Sequence, residues 1–323
     1  MRPTQPLPRT STKQSQRPSL FNHLPTELVY HVFHLASASS RTSCLAICLV
    51  ASWARRIALP NLFHTVVIKD DTAYSEFENY LSNPSYVLPN SSVIPTSLVN
   101  GVWMEGAEPW QCNRMSSVFE ACENITHLAL QKEFFYQLVR SSSPLVGLRH
   151  GEKRISPRAL ARNQDLHITV MDARSIDWVL TEHYQVEVGY RSPIFDKVTH
   201  LRLAVIDSYK MLIGLACFSR LSHISVPYYL DGFHKARHLQ HILELKSLKM
   251  LVIAVATDII REASWKRLEK WVRKTRETDG RVYLVKPSSV YIRDEWEAET
   301  RGGESIWDRA VRYTDEWDRS ATA

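Results

Sequence analysis

Short segments of one pattern recur along most of the chain, and they restrict the fold more than any other feature. ITHLAL (Ile125 to Leu130), VTHLRL (Val198 to Leu203), LSHISV (Leu221 to Val226) and LKMLVI (Leu248 to Ile253) each read apolar-x-x-apolar-x-apolar. LHITV (Leu166 to Val170) fits the end of that template, and HTVVI (His64 to Ile68) and RVYLV (Arg281 to Val285) fit it loosely. Each is short, β-branched-rich and alternating at its end, which predicts a strand. Helical patterns precede most of them, such as Met115, Val118, Phe119 and Cys122 before the first, or Leu239, Ile242, Leu243 and Leu245 before LKMLVI. A helix-strand unit recurring every 23 to 40 residues cannot bury its apolar face alone. The expectation is therefore an α/β solenoid of stacked units.

In such a strand the apolar positions point into the core and the third and fifth positions point outward. The third position is His127, His167, His200 and His223 in four successive segments. Neighbouring parallel strands would set these imidazoles in a row about 4.8 Å apart. Side chains that leave a flat ladder in parallel do not converge on an ion, so no metal is expected. The fifth positions are Ala129, Thr169, Arg202, Ser225 and Val252. Solenoids bind partners on their concave strand face. His167, Thr169, His200, Arg202, His223 and Ser225 are accordingly the residues expected to contact a protein target.

The second feature lies near the front. LPTELVYHVFHLA, Leu24 to Ala36, places Leu28, Val29, Val32, Phe33 and Leu35 at helical spacing behind Pro25, which suits the start of a helix. CLVASWARRIALPNLFHTVVI, Cys48 to Ile68, follows with Leu49, Val50 and Trp53 before the basic pair Arg55 and Arg56. Three short apolar helices make a poor core by themselves. The arrangement resembles an F-box, the helical module that docks on a Skp-family adaptor of a cullin ubiquitin ligase. It looks most like the divergent F-box-like proteins of mushroom-forming fungi. The resemblance covers the helical module tightly; beyond it the chain is similar to a degenerate leucine-rich-repeat region that lacks the motif's Asn or Cys position. The resemblance implies a substrate-receptor subunit, with Leu24, Pro25, Leu28, Val32, Phe33, Leu49, Val50 and Trp53 facing the adaptor. The alternative is a binding scaffold in which these helices merely cap the solenoid and turn Leu28, Phe33 and Leu49 inward.

The remaining boundaries follow from composition. Residues 1–20 hold Arg2, Arg9, Lys13 and Arg17 and no acid and read as a disordered basic tail. The helical module occupies 21–63 and the solenoid 64–323, with a Pro-, Asn- and Ser-rich loop over 80–110. A closing segment over 291–317 carries Trp296, Trp307 and Trp317 and resembles a cap for the last repeat's apolar edge. Charged residues make up 23% of the 323, ordinary for a globular protein. The longest apolar run, Leu248 to Ala256, is too short to span a bilayer, and the first residues lack a signal-peptide core. The expected compartment is cytoplasmic or nuclear.

Chemistry-bearing motifs are absent. No GxxxxGK, GxGxxG, GxSxG or HExxH occurs, so neither catalysis nor a cofactor is expected. The five cysteines read as reduced thiols, and Cys112 and Cys122 with His127 match no compact metal knuckle. Residues 261–277 hold seven basic and three acidic side chains. Their tryptophans fall on the apolar stripe with Leu268 and Val272, which suits a solvated outer helix better than a nucleic-acid platform.

Overall fold

The computed structural model describes residues 24–82, 94–106, 114–144, 148, 153–162, 165–172, 192–206, 215–228, 237–255, 261–286 and 292–322. The basic tail and Cys112 lie outside them. Helices α1 (Thr26–Ser39), α2 (Arg41–Cys48) and α3 (Ser52–Phe63) come first. An α/β body follows. Its strands are β1 (Thr65–Ile68), β2 (Gly101–Met104), β3 (His127–Leu130), β4 (Leu166–Val170), β5 (Val198–Leu203), β6 (His223–Tyr228), β7 (Met250–Val255) and β8 (Val282–Val285). They form one sheet in chain order, each parallel to the next.

The repeated pattern sets the register. Leu128, Ile168, Leu201, Ile224, Leu251 and Val282 form one rung across β3 to β8, and all six are buried. Connecting helices cover this face: α4 (Asp71–Ser82), α5 (Arg114–Ala121), α6 (Lys132–Ser142), α7 (Pro157–Leu160), α8 (Arg237–Leu243) and α9 (Glu262–Arg276). Phe119, Phe134, Phe135, Leu138, Ile242, Leu268 and Val272 pack there into a single core with the strands. The basic helix α9 thus buries its apolar stripe and leaves Lys266, Lys270 and Lys274 exposed.

The sequence reading of 80–110 as a loop is corrected within 94–106; residues 83–93 and 107–110 lie outside the described residues. Residues 101–104 are strand β2, seated between β1 and β3. The signal was present: Val99, Val102 and Met104 repeat the template of Ile125, Leu128 and Leu130. Its Gly and Asn residues hid it. Gly101 occupies the third position, where an added Cβ would overlap Cγ2 of Thr300, so the packing across the sheet selects the residue that lowers strand propensity.

The second correction concerns the other sheet face, expected to be open. Helices α10 (Ile292–Thr300) and α11 (Ile306–Thr322) lie on it. Trp296 packs with Trp103 and Ala129, on β2 and β3; Ile306 and Ala310 pack with Met250, Val252 and Val285, on β7 and β8. Between the helices, Gly302 at φ +87 takes the left-handed cap position, and the Gly303 N–H donates to Ala298 O at 2.9 Å. Ser305 opens the next helix, its Oγ accepting from the Asp308 N–H at 3.2 Å. Helix α11 also runs beside β8: the Leu284 N–H donates to Thr314 Oγ1 at 2.8 Å.

Candidate functional site

Two surfaces carry the residues singled out in the sequence. The first is the helical module. Its small core consists of Phe33, Cys44, Ile47, Cys48, Ala54, Ile57 and Ala58, with Val29 and Ala36 packed against it. Helix α1 is apolar on two adjacent stripes. Val29, Phe33 and Ala36 face this core, whereas Leu28, Val32 and Leu35, also at i, i+4 and i+7, face outward. Leu24, Pro25 and Trp53 are exposed as well, and Leu49 and Val50 stand 81% and 62% exposed on the turn after α2. Of eleven exposed large apolar side chains among the described residues, nine fall between Leu24 and Trp53.

Phe33 is the exception within the expected adaptor-facing set. It is buried, at 9% exposure, and meets the Trp53 ring edge-on at 4.9 Å. An apolar arc this wide does not reveal which stripe turns inward until α2 and α3 are placed. Tyr30 and Leu35 on α1 and Leu45 on α2 join the exposed set; their apolar character was the available signal.

The module is joined to the body at its far end. Arg301, just past α10, donates from Nη1 to Asn61 O at 3.0 Å, and Asn61 Nδ2 donates to Ser37 Oγ at 2.6 Å. His64 and Asn100 meet at 2.9 Å where α3 runs into β1.

The second surface is the covered sheet face. Thr169, Arg202 and Ser225 lie in register on β4, β5 and β6, and all are buried. The expectation that they are open to a partner is corrected: they belong to a second, thinner interior under α10 and α11. Arg202 pairs there with Glu295, and with Glu299 at 3.3 Å; Arg309 pairs with the same two carboxylates. Burial lowers Arg202 to about 10, so it remains protonated at neutral pH, and burial raises Glu299. Two cations and two anions balance, which is the condition for holding charge in such a place.

The histidines fulfil the geometric expectation and lose part of their exposure. His127, His167, His200 and His223 pair in register, with successive ring centroids 4.5, 3.8 and 4.1 Å apart. Trp307 lies 5.3 Å from His200 and 5.4 Å from His223. The rings line a cavity of about 330 Å³ with Arg202, Glu299, Trp296 and Trp307. Hydroxyls of Thr126, Thr199 and Ser222 sit 2.8, 2.9 and 2.8 Å from the Nδ1 of the next residue. That contact gives the recurrent Thr-His or Ser-His pair a physical role in fixing ring orientation. Among the described residues no three His, Cys, Asp or Glu side chains form a group able to hold a metal ion.

Cys44, Cys48, Cys122 and Cys217 are buried; desolvation pushes Cys44 up to about 11 and Cys122 up to about 12, which makes these two inert thiols. No described helix is long and apolar enough to cross a membrane. No protein-family model matches the chain, and no curated protein matches its sequence.

Proposed function

We propose that this protein is a substrate-receptor subunit of a ubiquitin ligase. The particular reading is an F-box-type receptor, whose first three helices dock on a Skp-family adaptor and through it a cullin, while the α/β body, read as a solenoid, holds a protein target. The chemistry belongs to other subunits, and this chain raises the local concentration of the target.

One observation carries the proposal: a module with its own small core leaves nine large apolar side chains, from Leu24 to Trp53, uncovered. Large exposed apolar side chains concentrated in one small module mark an interface. The capping alternative needs Leu28, Phe33 and Leu49 turned inward; Phe33 is buried, in the module's own core, and Leu28 and Leu49 are exposed. Because Arg202, Thr169 and Ser225 are covered, target binding is assigned to the body's remaining surface.

The test is capture of a purified Skp-family adaptor by the full chain and by a Leu49→Asp, Val50→Asp variant. Capture by the parent chain and at least tenfold weaker capture by the variant are expected. No capture by the parent chain rejects the ligase reading.

A further inference from the structure

The four imidazoles beside the C-terminal helices are placed specifically, whatever part of the body's surface holds a target. Rings of His167, His200 and His223 overlap at 3.8 and 4.1 Å, the last pair within 10° of parallel. Trp307 covers two of them from α11. Such a stack accommodates neutral rings. Adjacent imidazolium ions at these separations repel across a partly dry interior.

The surroundings add mostly positive charge. Arg202 follows His200 on the same face of β5, Lys249 stands beside His223, and His64 acts on His127. Arg301 lines the neighbouring cavity with His64 and His127. On the acidic side, Asp165 favours charge on His167, and Glu299 and Asp308 reach the cavity from the C-terminal helices. Glu299, with Glu295, is already engaged by Arg202 and Arg309.

We infer that the imidazole ladder is an acid-sensitive latch: in its neutral form it lets helices 292–322 lie on the sheet, and its protonation releases them and uncovers Thr169, Arg202 and Ser225. Burial first, and neighbouring imidazoles second, hold His127 and His167 at about 4 and His200 at about 2, and burial also lowers His223. In the released state the rings are hydrated and titrate near the ordinary value of 6.5. A pKa lowered in the closed state gives stability that is complete above 6.5 and is lost as the pH falls towards 4. At pH 5 each of His127, His167 and His200, where it titrates independently, shifts the balance towards release by about 30-fold.

Hydrogen exchange of the full chain at pH 7.5 and pH 5.0, with protection factors corrected for the intrinsic rate at each pH, tests the latch independently of any adaptor. Protection of amides 292–322 is expected to fall at least 30-fold at pH 5.0, while strand amides 198–203 stay protected. The double variant His167→Asn, His200→Asn is expected to lose most of that pH dependence, and His200→Asn alone part of it. Unchanged protection of 292–322 at pH 5.0 overturns the inference, as does an equal loss in the strands, or a pH dependence that survives in the variants.

Discussion

The Trp296 ring meets the Trp103 ring at 5.4 Å between centroids and 59° between planes, on the sheet face opposite the crossover helices. Trp103 comes from β2 and Trp296 from the C-terminal segment, so the contact ties the end of the chain to an early strand. Both rings are buried. Trp296→Ala should destabilise the protein by about 3–5 kcal/mol, the usual range for emptying a large aromatic site. Urea denaturation checks this; a loss below about 1 kcal/mol would mean that the C-terminal helices are not seated as described.

The same contact constrains Gly101. Its missing Cβ makes room for Thr300 and the Trp296 ring. Gly101→Ala should cost about 1–3 kcal/mol through overpacking. Gly280→Ala, with open space around it, should change stability by less than about 0.5 kcal/mol. Thermal denaturation of the two variants side by side reads the difference.

Arg202→Glu puts a third carboxylate against Glu295 and Glu299 and leaves Arg309 as the cation facing all three. Removing one partner from a buried ion cluster costs about 3–5 kcal/mol, and reversing its sign should cost at least that. A fall in the midpoint of thermal unfolding is the expected readout. An unchanged midpoint would show that the C-terminal helices do not bury Arg202 in solution.

The two stripes of α1 and the turn after α2 predict opposite behaviour for neighbouring apolar residues. Phe33→Ala should cost about 3–5 kcal/mol, because its ring lies in the module's core against Trp53. Leu49→Asp should change stability by less than about 0.5 kcal/mol, as an exposed position does. Equal losses in the two variants would contradict the division into inner and outer faces.

The sequence by itself determined the strands, their order and the rungs of their core, because a period-two apolar pattern admits one buried face and the recurring helix-strand unit aligns that face from strand to strand. His127, His167, His200 and His223 were legible as a row for the same reason. So were the apolar helices near Leu24 to Trp53, and so was β2, whose template lay unread in Val99, Val102 and Met104. What covers the second face was left to the tertiary structure. Thr169, Arg202 and Ser225 are polar or charged, and polarity on a strand normally signals solvent. Here Glu295, Glu299 and Arg309, brought from about a hundred residues away, complete the charges and allow them to be buried. The inward stripe of α1 was decided in the same way, by the positions of α2 and α3, since a helix that is apolar on two sides does not state which side has a partner.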